Sequence, residues 1–259
     1  MIPLKDNQPT SAFPIFTILF IGVNVLVFLA QQLDLGQITA RYSLVPRELF
    51  FGADYREIHL SINEYGRTVW MTQRVPAVHP AWFTIFTSMF LHGSWLHLGG
   101  NMLYLWIFGN NIEDALGKVK YVLFYFAAGL AAAFAQILIS PASTVPMLGA
   151  SGAIAGVLGA YYILYPAARV LSIVPIFGFG AIMEVRASLV LGLWFVLQVI
   201  QGVYGLGGMQ QDGGVAVFAH IGGFVAGVAM IKAMGGQDIV SRQRRRVQYY
   251  PPYPGSTRY

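Results

Sequence analysis

The amino-acid sequence predicts an all-α membrane protein, a bundle of six transmembrane helices with a long interfacial first loop. Three observations predict it. Of 259 residues, 56% are hydrophobic and only 10% charged, against about 45–50% and about 25% in soluble domains. The few charges are clustered, which leaves six stretches of about 18 residues or more, long enough to cross a hydrocarbon core of about 30 Å. None of the six alternates with period two, so each is read as a helix that satisfies its own backbone groups in lipid.

The first span runs from Phe13 to Leu33. It has no basic region before it and no convincing small-residue cleavage site, so it is expected to be a retained span and not a signal peptide. The start, with Lys5 and Asp6, is not rich in Arg, which argues against a transit peptide. The first loop follows, and in it Arg41, Arg47, Arg56, Arg67 and Arg74 are balanced by Asp34, Glu48, Asp54, Glu57 and Glu64. Leu49, Phe50, Phe51, Trp82, Phe83, Phe86 and Phe90 suit that loop to a membrane–water interface, where aromatic side chains collect. The remaining spans are expected at Trp95 to Ile112, Tyr121 to Ser140, Ser151 to Ala168, Ala187 to Tyr204 and Val215 to Met234. They form one domain over residues 1–236, and residues 237–259 form a basic tail ending in Tyr and Pro. A composition of that kind builds no core, so the tail is expected to be disordered and cytoplasmic.

Lys and Arg set the orientation, because cytoplasmic loops collect them. An even number of spans puts both termini on one side. With them lie Lys5, Lys118, Lys120, Arg169, Arg186, Lys232, Arg242, Arg244, Arg245, Arg246 and Arg258, eleven of the sixteen basic residues. Both termini are expected to be cytoplasmic. Most of the formal charge of +5 comes from the tail, with no base-stacking or phosphate-gripping motif beside it, so it argues for membrane orientation, as a positive-inside signal or by attachment to membrane lipids, and not for nucleic acid. The chain has no Cys, which removes disulfides, thiol chemistry and Cys-bound metals.

Against this topology the polar residues inside the spans stand out, since such residues are costly and are functional candidates by default. His97 and Asn101 are four apart on one face of the second helix. Ser151 opens the fourth helix, and His220 lies about five residues, or about 7 Å, into the sixth. All four fall at similar depth near the outer ends of their helices, although none of them was used to set the orientation. Gly152 and Gly156 on the fourth helix, with Gly223 and Gly227 on the sixth, give two faces spaced for close helix contact. A short Ser can then reach an imidazole.

A Ser hydroxyl becomes a nucleophile when a neutral His within hydrogen-bond reach takes its proton. Ser151 is the candidate nucleophile and His220 the base. A helix N-terminus at Ser151 supplies backbone N–H groups for an oxyanion, and His97 and Asn101 can add side-chain donors. No good third member is visible: Asp212 lies in the loop before the sixth helix, and Glu184 falls on the cytoplasmic side. A dyad is expected. The fifth helix, apolar apart from Gln198 and Gln201, carries no catalytic candidate and is a plausible movable wall. A nucleophile elbow is excluded, because Gly-x-Ser-x-Gly after a strand is required and Ala153 follows Gly152 here.

The segments His97-Leu98-Gly99-Gly100-Asn101, Gly149-Ala150-Ser151-Gly152 and Ala219-His220-Ile221-Gly222-Gly223 resemble, in order and spacing, those of the rhomboid intramembrane serine proteases of prokaryotic type. The resemblance covers most of the chain. It implies that Ser151 and His220 are the catalytic dyad, that His97, Asn101 and the Ser151 N–H form the oxyanion hole, and that His92 has a structural role. The substrate it implies is a single-span membrane protein cut near the outer surface beside a small residue, with no metal or cofactor. The absence of organelle-targeting signals and of an added cytosolic domain makes a multi-pass protein of a prokaryotic plasma (inner) membrane the expectation. Where many members carry Trp-Arg in the first loop, this chain has Trp82-Phe83-Thr84. A catalytically inactive rhomboid-like protein that binds membrane clients is the alternative, but such relatives usually lack the Ser or the His. A transporter is disfavoured by the absence of an inverted repeat or a midplane charge.

Overall fold

The computed structural model describes residues 1–34, 36–52, 55–64, 67–176, 179–206 and 216–249. Strand β1 (Ile2–Asp6) leads to helix α1 (Ile15–Leu33), short helices α2 (Gln37–Tyr42) and α3 (Pro46–Phe51), and a hairpin of β2 (Tyr55–Glu64) and β3 (Arg67–Pro76). Short helix α4 (Thr84–Thr87) precedes α5 (Trp95–Tyr104), which runs through a π-helical turn at Leu105–Gly109 into α6 (Asn110–Leu116). Then come α7 (Lys118–Ile139), α8 (Ser151–Leu164), strands β4 (Arg169–Ile176) and β5 (Phe179–Arg186), and helices α9 (Ala187–Leu206), α10 (Val217–Ala233) and α11 (Gln237–Tyr249).

Helices α1, α7 and α9 are each long and apolar enough to cross a bilayer, and α10 with Gln237–Gln243 of α11 is a fourth candidate, bent by 69°. Helix α8 is shorter and almost wholly enclosed. Of its 14 residues, all but Ser151, Tyr162 and Ile163 are buried, as expected of a helix that is apolar on every side. Around it, Tyr121, Tyr125, Phe108, Leu105 and Ile112 fill the core, and Phe20 stacks on Tyr125 with ring centroids 4.3 Å apart. In lipid, hiding apolar surface from water contributes little, so close packing and interhelical hydrogen bonds must supply the cohesion.

One group of those bonds lies where α1 begins, beside α6. The first backbone N–H groups of a helix have no carbonyl partner within it. At α1 they are met by α6: the Glu113 carboxylate accepts from the Phe16 and Thr17 N–H groups and the Thr17 hydroxyl, at 2.8–3.0 Å. Asp114 accepts from Ser11 and Ala12 just ahead of α1 and from Gln243 of α11. Buried Asp6 accepts from the Tyr161 hydroxyl at 2.5 Å and from Asn111 at 2.8 Å, and burial pushes its carboxyl up to about 6.

Three expectations need correction. The protein is mostly helical but not all-α, because β1, β4 and β5 form an antiparallel sheet in the order β1-β4-β5 and β2 pairs with β3. These strands are ten residues or shorter, too short for a search based on span-length apolar stretches. Segment 237–249 is a helix and not a disordered tail: Ile239, Val240 and Gln243 are buried, and Gln243 bonds Asp114 and the Tyr165 hydroxyl. The expected helix from Trp95 contains a π-helical turn. Asp212, the predicted start of the last span at Val215, and the tail beyond Tyr249 lie outside the described residues.

Candidate active site

Ser151 is the first residue of α8, and the turn before it depends on Gly149, whose φ of 126° is unfavourable for any residue with a Cβ. A Cβ at Gly149 would also lie 2.9 Å from the His97 ring and 3.5 Å from Ser151 Oγ. Glycine is therefore required twice over, for the backbone and for the space beside His97. His220 stands one turn into α10 with its ring turned to α8. Its Nε2 lies 2.7 Å from Ser151 Oγ.

The glycines make this distance possible, in a less symmetrical way than their spacing suggests. Cβ atoms at Gly223 and Gly227 of α10 would collide with the Gly152 and Gly156 carbonyl oxygens of α8. Gly152 and Gly156 themselves turn toward α7, where Cβ atoms would strike Ala132 and Ala128. One glycine pair thus closes the α8–α10 contact and the other seats α8 on α7. Gly159, which the spacing did not single out, repeats the α8–α10 contact against the Phe224 carbonyl, and Gly222 seats α10 on α7 at Ala135.

His97 and Asn101 share a face of α5, whose start is capped by the Ser94 hydroxyl accepting from the His97 N–H at 3.1 Å. Buried His92 lies against both, with Nε2 2.9 Å from Asn101 Nδ2 and its ring centroid 5.0 Å from that of His97. Ser151, His220, His97 and Asn101 all line one cavity of about 840 Å³. A hydroxyl bonded to an imidazole, beside the start of a helix and two side chains able to donate, has the parts for nucleophilic attack and for stabilising an oxyanion.

Three glutamines complete the arrangement, and the sequence reading missed the part each plays. Gln31 of α1 clamps the His92 backbone: its Nε2 donates to the carbonyl at 3.1 Å, and its Oε1 accepts from the N–H at 3.0 Å. Gln136 of α7 accepts from the Phe218 N–H at 3.1 Å and so caps the start of α10. Gln198 of α9 places Oε1 2.7 Å from His220 Nδ1, and Trp194 sets its ring 5.8 Å from the same imidazole. Helix α9 is therefore not a wall without contact to the site. The signal was available, since a Gln within an apolar span is costly for the same reason as a His.

A family model for the rhomboid domain matches residues 79–237. The chain belongs to the rhomboid family. The matched segment contains every polar residue just described except Gln31. Similar proteins include the rhomboid protease GluP of Bacillus subtilis, 32% identical over 57% of this chain and 24% of that protein. Rhomboid-like protein 11, chloroplastic, of Arabidopsis thaliana is 28% identical over 59% of this chain and 52% of its own length. Rhomboid protein 1, mitochondrial, of Saccharomyces cerevisiae is 32% identical over 56% and 40% respectively. The chain thus spans between about a quarter and about a half of the length of these relatives. As a rhomboid with several membrane-spanning helices, it is a multi-pass membrane protein.

Proposed function

We propose that this rhomboid is a serine endopeptidase that cleaves the transmembrane segments of single-span membrane proteins near the outer membrane surface. The observation that carries the reading is the 2.7 Å contact between Ser151 Oγ and His220 Nε2 on the wall of a cavity shared with His97 and Asn101. In the reaction, Ser151 Oγ attacks the scissile carbonyl carbon while His220 Nε2 takes the hydroxyl proton. The oxyanion is held by the Ser151 N–H, Asn101 and His97. Collapse breaks the C–N bond, His220 returns the proton to the leaving amine, and an acyl-enzyme remains on Ser151. A water then gives a proton to His220 and attacks the ester carbonyl carbon; collapse breaks the C–Oγ bond, His220 returns the proton to Ser151 Oγ, and the acid is freed. Gly149 keeps His97 beside the nucleophile, and His92 orients Asn101.

The setting is a six-span bundle over residues 1–236, in which Trp95 to Leu116 and α8 complete the set begun by α1, α7, α9 and α10. At 1.5 Å per residue, the 14 residues of α8 rise about 21 Å, well short of a core of about 30 Å. One end of α8 must then lie inside the hydrocarbon zone, and a catalytic Ser151 at its start is submerged, with water supplied through the cavity. Exposed Phe50, Phe51, Trp82 and Phe83 suit the first loop to the outer interface. The Lys and Arg residues outside the first loop favour both termini in the cytoplasm, in a plasma membrane, because cytoplasmic segments collect such residues.

Purified wild type, Ser151→Ala and His220→Ala, each reconstituted in liposomes with a single-span substrate, test the reading. Wild type is expected to release two fragments and neither variant to release any. Equal cleavage by all three would remove the dyad from the reaction.

A further inference from the structure

We infer that Gln198 is a positioning residue for the catalytic base, acting from α9 through His220 Nδ1. The inference rests on the serine-protease reading above, and it supplies the third member that a search for carboxylates could not find.

A neutral imidazole has one N–H and one acceptor nitrogen. To take the Ser151 proton, Nε2 must be the acceptor, so the ring proton must sit on Nδ1. The other tautomer would turn an N–H toward the hydroxyl and disarm the pair. Beside Nδ1 lies Gln198 Oε1, at 2.7 Å. An amide oxygen accepts and cannot donate, so this contact favours the productive tautomer and opposes the other.

The contact also fixes the angle of the ring. His220 is bonded at both nitrogens, by Ser151 from α8 and by Gln198 from α9, while Trp194, one turn before Gln198, covers it. When the imidazole becomes charged during acyl transfer, the Nδ1–H bond strengthens, since hydrogen bonds to ionised groups exceed neutral ones. Gln198 adds this support without placing a full charge in lipid, where a carboxylate would be costly. Apart from Gln201, the span of α9 around Gln198 is apolar, and Gln198 is the residue of that span bonded to His220.

The test pairs two substitutions of similar size with two readouts. Gln198→Met keeps the bulk and removes the acceptor, whereas Gln198→Glu keeps a carbonyl acceptor whether or not it is ionised. Loss of one hydrogen bond to a group that becomes charged in the reaction is expected to lower kcat about 10- to 100-fold in Gln198→Met, with KM within about twofold. Gln198→Glu is expected to retain kcat within about fivefold. Nitrogen-15 NMR of histidine-labelled protein reads the tautomer directly, and His220 should be protonated at Nδ1 in wild type and mixed in Gln198→Met. Wild-type kcat in Gln198→Met, or a wild-type His220 protonated at Nε2, would overturn the inference. A wild type that cleaves nothing would instead count against the protease reading, and the NMR result would still decide the role of Gln198.

Discussion

Against α8, helix α10 meets backbone: Cβ atoms at Gly223, Gly227 and Gly159 would all run into carbonyl groups of the facing helix. Against α9 it meets side chains. Phe195 stacks on Phe224 with centroids 4.5 Å apart, Trp194 covers His220, and Gln198 reaches Nδ1. A Cβ at Gly202 of α9 would touch only the tips of Phe218 and Ile221, at 3.3–3.4 Å. Backbone contacts leave no slack, whereas side-chain tips turn to accommodate change. The span of α9 is also only 22% buried, against 39% for that of α7, so fewer neighbours hold it. The distance between Ser151 and His220 is thus set in the seam that cannot give, and the orientation of His220 is set in the seam that can.

Substitutions in the two seams should therefore differ in kind as well as size. The largest effect belongs to the proposed nucleophile: Ser151→Ala is expected to lower kcat at least about 10³-fold with thermal stability little changed, because it removes the covalent route and no packing. Next is Gly223→Ala, where one methyl group must part α8 from α10. A stability loss of about 1–3 kcal/mol is expected, together with a fall in activity greater than about tenfold from the displaced Ser151. Thermal unfolding and cleavage should both register it.

A third prediction tests how firmly the far end of α8 is held, through Tyr161 and Asp6. A carboxyl with its pKa raised in the folded state binds protons more tightly folded than unfolded. Unfolding free energy should then fall as pH rises from about 4 to 6 and level off above that. The fall amounts to no more than about 3 kcal/mol. Asp6→Asn keeps an acceptor for Tyr161 and should flatten the profile in a pH series of thermal unfolding. The smallest effect is expected at Gly202→Ala in the yielding seam, within about 0.5 kcal/mol and with wild-type cleavage. If Gly202→Ala proved as damaging as Gly223→Ala, the contrast between the seams would collapse.

The same contrast explains what was legible in the sequence. Ser151, His97, Asn101 and His220 announced themselves as reactive groups in apolar segments, and the glycine spacing brought the fourth and sixth helices together. Gln31, Gln136 and Gln198 obey the same rule of cost in lipid, but they do not titrate, and a search for acids, bases and nucleophiles passes over them. Their partners are 61, 82 and 22 residues away, so no local pattern links them. Strands β4 and β5 were invisible for a different reason: each is eight residues long, below the length of a span, and Arg169, Glu184 and Arg186 interrupt their apolar residues. In α11 the Arg run dominated the composition, while Ile239, Val240 and Gln243, on one helical face, decided the structure.

The most direct measurement of the central claim is covalent labelling with a serine-reactive phosphonate, followed by peptide mass mapping. The reagent needs no knowledge of the natural substrate, and its rate reports the activated hydroxyl itself. The geometry predicts a single adduct on Ser151, absent from Ser151→Ala and formed at least about 10³-fold more slowly in His220→Ala. An adduct on another residue, or labelling of Ser151 at the wild-type rate without His220, would contradict it.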